Sequence, residues 1–173
     1  YKFLDKFPDS ERFEIEKTVR LETDTLFNQL SNKNIESIDF IKLDVQGHEL
    51  PILKGAGCYL NEAVGLEIEV EFEKMYVDQP LFNEVDAFVK DNGFELFDIK
   101  RYYWKRKSSN NSKSQKGQLI FGDALYFKSP ELILSDGNIT QEKVIRTICV
   151  YLAYGYADLA QTLLNMAQSS SLL

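Results

Sequence analysis

Residues 64–72 alternate without a break between apolar and other positions. Val64, Leu66, Ile68, Val70 and Phe72 fall on one side, and Glu67, Glu69 and Glu71 on the other. A period of two sustained over this length predicts a β-strand with one greasy and one acidic face. Upstream, Phe40, Ile41, Leu43 and Val45 form a short, almost continuous apolar run. That pattern predicts a strand over 40–45 covered on both faces, as in a parallel sheet. Asp44 sits at its carboxyl end, and Gly47 permits a tight turn. Pro51 suits the first turn of a helix, where a missing N–H costs nothing. The helix is predicted over 49–59, with Leu50, Ile52 and Leu53 inward and Gly55 and Gly57 at its fraying end.

The other elements follow the same logic. Residues 1–17 are polar and aperiodic and predict a lead-in loop; 19–22 predict a short extended piece. Thr23, Asp24 and Thr25 supply caps for a helix over 26–30, which Asn32 to Asn34 end. Residues 75–79 predict a loop, and 80–91 an amphipathic helix closed by Asn92 and Gly93. An aromatic-rich strand is predicted over 94–104, a polar basic loop over 105–117, and a second strand over 119–127, interrupted at Gly122 and Asp123. Two strands joined by a long loop suggest an antiparallel pair at a sheet edge. After a turn at 135–138, Thr140 caps a helix over 141–154. Gly155 separates it from another over 157–168, giving a helical hairpin, and 169–173 predict a loose tail. The expected class is α/β, with a domain over 1–134 and the helical hairpin over 135–173.

Composition narrows the partners. The 173 residues carry a net charge of −7, which disfavours nucleic acid. The longest uncharged apolar stretch near the C-terminus, 147–157, falls short of the roughly 20 residues that span a bilayer. Cys58 and Cys149 lie far apart in the chain, which suggests a reduced, cytoplasmic setting.

In open α/β sheets, ligands bind just beyond the carboxyl ends of the strands, the place that Asp44 to His48 would occupy. Asp44 has two readings, a group that positions an acceptor or takes its proton, and a cap for the turn. His48, the only histidine, is a candidate general base or a surface residue of the first helical turn. Gln46 and Gly47 shape the turn, with backbone N–H groups facing the site. Glu69 and Glu71 are candidates to hydrogen-bond substrate hydroxyls; the alternative is pairing with Lys or Arg, or a wet face. The carboxylates lack a ligand-spaced loop, so no metal site is expected. Arg101, Lys105, Arg106, Lys107, Lys113 and Lys116 suit either an acidic substrate or a solvated loop. Tyr102, Tyr103 and Trp104 offer faces for sugar rings as well as core surface.

The order of elements resembles the C-terminal part of a Rossmann-like methyltransferase sheet. The run from Ile38 to Leu50, followed by Ile52-Leu53-Lys54-Gly55-Ala56, resembles the signature of the FkbM family of S-adenosylmethionine-dependent methyltransferases. Thr23-Asp24-Thr25-Leu26, Glu69-Val70-Glu71-Phe72, Pro80-Leu81-Phe82, Gly93-Phe94 and Gly122-Asp123-Ala124-Leu125-Tyr126-Phe127 continue it, so the resemblance covers roughly residues 19–128. Position 46 is often Glu in that family and is Gln here. The resemblance implies O-methylation, with S-adenosylmethionine as cofactor and a hydroxyl of a sugar or secondary metabolite as acceptor. It strengthens the catalytic reading of Asp44; the candidate site is then Asp44 and His48 for catalysis, Asp44, Gln46 and Gly47 for the cofactor, and Glu69 and Glu71 for substrate. It also implies a Gly-rich cofactor turn upstream, yet residues 1–38 contain no glycine. The expectation is therefore a fragment without the main cofactor cradle, inactive alone, whose exposed strand edge favours self-association. A non-catalytic interaction module that keeps part of the fold is the alternative.

Overall fold

The computed structural model describes residues 3–108 and 115–173. Residues 109–114, within the predicted basic loop and including Lys113, lie outside the described residues. Four strands, β1 (Phe40–Leu43), β2 (Gly65–Glu71), β3 (Glu95–Trp104) and β4 (Gln118–Phe127), form one sheet in the order β1-β2-β4-β3. β1 and β2 are parallel; β4 runs antiparallel to both β2 and β3. The sheet is mixed, and the predicted antiparallel pair has β3 as its outer strand.

The alternation in β2 sorts its two faces as the sequence implies. Leu66, Ile68 and Val70 are fully buried in the main core. They pack with Leu50 and Leu53 of α2 (Glu49–Lys54), Leu60 of α3 (Cys58–Glu62), and Val85 and Val89 of α4 (Phe82–Asp91). Each such side chain contributes about 1.5–3 kcal/mol through burial. A second core gathers Val64, Phe127 and Phe40 with Val144 and Tyr151 of α6 (Gln141–Ala153) and Leu163 of α7 (Ala157–Ser169). Phe40 stacks on Tyr154 with ring centroids 4.7 Å apart, and Phe97 meets Tyr156 edge-on at 5.1 Å. The C-terminal helices thus direct their apolar sides onto the sheet.

Several local expectations need correction. β1 ends at Leu43, two residues before the predicted end, because the chain turns at Asp44. The single helix expected over 49–59 is two. Gly57 adopts φ 58° and ψ −136°, backbone that no helix contains, and a Cβ there would lie 2.8 Å from Phe27. β4 runs through Gly122 and Asp123 without interruption, paired with Val70 and Glu69. A further helix, α5 (Pro130–Ser135), begins at Ser129, whose hydroxyl accepts from the Leu132 N–H. The C-terminal tail folds back: Leu172 donates its N–H to the Ala167 carbonyl, and Leu172 and Leu173 pack on the second core.

The lead-in segment is also more than a loop. Two short 3-10 turns, Leu4–Lys6 and Ser10–Phe13, bury Leu4 and Phe7 against Met75 and Ile120. Phe7 meets Trp104 edge-on at 5.4 Å. No strand forms over 19–22, where Val19 and Leu21 are exposed. The cap of α1 (Leu26–Ser31) is as predicted, with the Thr25 hydroxyl accepting from the Asn28 N–H at 3.1 Å.

Candidate functional site

The segment between β1 and α2 is a tight, unusual turn. Gln46 and Gly47 follow one another at φ 58° and 94°. Glycine is required at 47 on a second count: a Cβ would lie 2.8 Å from Gln79 Nε2. The Glu49 carboxylate holds the turn from below, with Oε1 accepting from the N–H groups of Val45 (2.9 Å) and Gly47 (3.2 Å). Glu49 is 2 % exposed, and the sequence pattern did not single it out. Its signal was its place, the first residue of a helix that follows a strand-end turn, where a carboxylate can satisfy free N–H groups.

The turn projects the Gln46 side chain across the strand ends. Its Nε2 donates to Asp44 Oδ1 (3.0 Å) and Glu69 Oε2 (2.9 Å), and its Oε1 accepts from the Tyr76 hydroxyl (3.0 Å). Asp44, Gln46 and Glu69 are thereby brought together. His48 is not: it is exposed at the N-cap of α2, with no side-chain hydrogen bond among the described residues.

The acidic face of β2 divides into two fates. Glu67 pairs with Lys42 and accepts from the Tyr154 hydroxyl at 2.9 Å. Glu69 and Glu71 have no ion-pair partner among the described residues, although they are only 8 % and 1 % exposed. Burial, then the negative charges of Asp44 and Glu49, raise Glu69 to about 7. Burial, then Glu49 and Glu69, raise Glu71 to about 8. Desolvation penalises the charged carboxylate, and like charges add to that penalty. The Gln79 side chain is 2 % exposed and shapes the loop after β2, its Oε1 accepting from the N–H groups of Met75 and Tyr76. Glu71 Oε1 and Gln79 Nε2 are buried without a hydrogen-bond partner.

Glu49, Glu69 and Glu71 each offer an oxygen, all within 4.8 Å of one another. Among the described residues this is a group whose donors could hold a metal ion. Beside them opens a cleft of about 350 Å³ lined by Arg12, Phe13, Gln46, Glu69, Met75, Tyr76, Trp104 and Phe121. Arg12 lies 5.1 Å from the centre of the Trp104 ring and 4.8 Å from that of Phe13. A larger cavity, about 740 Å³, lies elsewhere, lined by none of the strand-end residues. Its cations are engaged with the protein: Lys143 and Arg146 with Asp39, and Lys128 with the Asn61 carbonyl.

The fold is α/β, and its parallel strand pair carries an acid-bearing turn at the carboxyl ends, the place where open α/β sheets bind their ligands. The model of the methyltransferase FkbM domain matches residues 3–96, just over half of the chain, and the chain belongs to that family. The match takes in the lead-in segment, the turn and both parallel strands, and stops at the start of β3. Comparison with curated proteins gave no match, and neither did comparison with solved structures.

Proposed function

We propose that the protein is an S-adenosylmethionine-dependent O-methyltransferase, and that the strand-end cluster forms the acceptor side of its site. The observation that carries this reading is the Gln46 amide joining Asp44 at the end of β1 to Glu69 of β2, beside an aromatic-walled cleft. A hydroxyl acceptor needs an oriented partner for its proton as the methyl arrives. Asp44 is exposed and held from one side by Gln46, so its carboxylate is available for that role. Phe13, Tyr76, Trp104 and Phe121 suit the apolar face of a sugar or polyol ring, with Glu69 at the rim to accept from its hydroxyls. Glu71, expected as a substrate contact, is too deeply buried to touch an acceptor and does not line the cleft.

S-adenosylmethionine supplies the electrophilic methyl group. Among these residues the Asp44–Gly47 turn, just beyond the carboxyl end of β1, is the segment assigned to meet it; the Val45 and Gly47 N–H groups are engaged by Glu49, so Asp44 and the Gln46 side chain are its available groups. His48 is assigned a role only at the outer rim of that turn. The test is transfer of labelled methyl from S-adenosylmethionine to a panel of sugars and polyols by the natural gene product. Transfer that drops at least ~100-fold in Asp44→Asn supports the reading. Absence of transfer to any hydroxyl acceptor, with transfer to an amine or thiol, would overturn it. Calorimetry with S-adenosylhomocysteine on the 173-residue chain separately measures how much of the cofactor site these residues hold. Weak binding, with Kd above about 100 µM, is expected, because no Gly-rich turn precedes Gly47.

A further inference from the structure

We propose that Glu49, Glu69 and Glu71 form a binding site for a hard divalent cation of calcium size. Three observations converge on it. The carboxylates come from two elements, the start of α2 and the end of β2, and their oxygens lie within 4.8 Å of one another. All three are under 9 % exposed, and no Lys or Arg pairs with them among the described residues. Independently, Glu71 Oε1 is buried with no hydrogen-bond partner, a carboxylate oxygen of the triad left without a donor.

The chemistry of the donors selects the ligand. All are carboxylate oxygens, which suit hard cations and not thiophilic metals. Oxygens no more than 4.8 Å apart lie within the spread that the ligands of one oxygen-coordinated ion, with bonds of about 2.3–2.6 Å for calcium, can take. The three carboxylates are nearly dry, which favours calcium over magnesium, an ion with bonds of about 2.0–2.1 Å that gives up its waters reluctantly and is seldom held by an all-protein cage. Glu49 and Glu69 are already oriented from behind. Glu49 Oε1 accepts from Val45 and Gly47, and Glu69 Oε2 accepts from Gln46, the outer bonds that typically fix metal ligands. The site does not depend on methyl transfer. It would brace the turn that carries Asp44 against β2.

The test is calorimetric titration of the intact chain, first stripped with a chelator, with Ca²⁺ and with Mg²⁺ alone, alongside thermal melts. Saturable Ca²⁺ binding at one site, with Kd of about 10–100 µM and weaker Mg²⁺ binding, is expected. Glu71→Gln and Glu69→Gln should each weaken Ca²⁺ binding at least tenfold (about the scale of losing a metal contact). Glu36→Gln, an exposed acid elsewhere, should leave it unchanged. In chelator, both cluster variants should melt no lower than the wild type, since a neutral amide replaces a repelled buried carboxylate. No saturable binding, or binding that Glu71→Gln and Glu69→Gln leave intact, would overturn the proposal; the cluster would then be a proton-holding acid group or the binding a diffuse surface effect.

Discussion

Gln46 and Glu69, twenty-three positions apart, meet in a 2.9 Å hydrogen bond that ties the turn after β1 to the end of the neighbouring strand. Because Gln46 also donates to Asp44, one amide sets the distance between the two acids. Gln46→Ala removes both bonds and the acceptor of Tyr76, and is expected to cost about 1–2 kcal/mol. Denaturant melts of Gln46→Ala, Glu69→Ala and the double variant should give a coupling of at least about 0.5 kcal/mol. Additive losses would mean that the bond contributes nothing.

Stability should fall as the pH rises through neutrality. Glu69 and Glu71 have folded values of about 7 and about 8 against an ordinary 4.5. Acids raised in the folded state bind more protons there than in the unfolded chain. Their contribution is complete below about pH 4.5 and is lost between there and about pH 8. The charges facing them, Asp44, Glu49 and Asp123, are acidic and act in the same direction. Melting temperature in chelator should therefore decline from pH 5 to pH 9, and Glu71→Gln should flatten the decline. A wild-type profile that rises over this range would contradict the raised values.

Asp39 anchors the second core to the first. Lys143 Nζ donates to Asp39 Oδ1 at 2.7 Å and to the carbonyls of Glu62 and Ile38. Arg146 Nε lies 2.9 Å from Asp39 Oδ2, in ion-pair contact but off the line for a hydrogen bond. Lys143 is only 12 % exposed, so Asp39→Asn leaves a largely buried ammonium without its counter-charge. The expected loss is about 1–3 kcal/mol. Glu142→Gln, which breaks the exposed pair with Arg146, should stay within about 0.5 kcal/mol. Equal effects of the two would show that Asp39 is no anchor.

The free side of β1 is a further liability. Among the described residues β1 pairs only with β2, and Lys42 is its only basic residue. An unpaired edge of this composition invites another chain. Light scattering across a concentration series should reveal self-association of the 173-residue chain. A strictly monomeric, cooperatively melting sample would mean that the edge is adequately protected.

Much of the fold is legible in the order of residues alone. The alternation of Val64 to Phe72 determined β2 and which of its residues enter the core, because side chains on a strand point to opposite faces in turn. Thr25 and Thr140 marked where two helices begin, since a hydroxyl at that place satisfies a free N–H. The run through Asp44, Gln46 and Gly47 located the turn, and its resemblance pointed to the family that residues 3–96 match.

What the sequence left open depends on partners distant in the chain. Glu67, Glu69 and Glu71 are equivalent in the pattern. Only packing decides that Lys42 pairs with the first and Tyr154 donates to it, while the other two are buried beside Glu49. Glu49 belongs to a helix start in the sequence and to a buried acidic triad in the fold, a change that follows from β1 and β2 lying side by side. The lead-in aromatics carry no period, so nothing local signals their burial against Met75 and Ile120; it is the sheet's open end that supplies their partner. Local periodicity reports which way a side chain points. What waits there to meet it, whether cation, amide or a second carboxylate, is fixed only when the strands assemble.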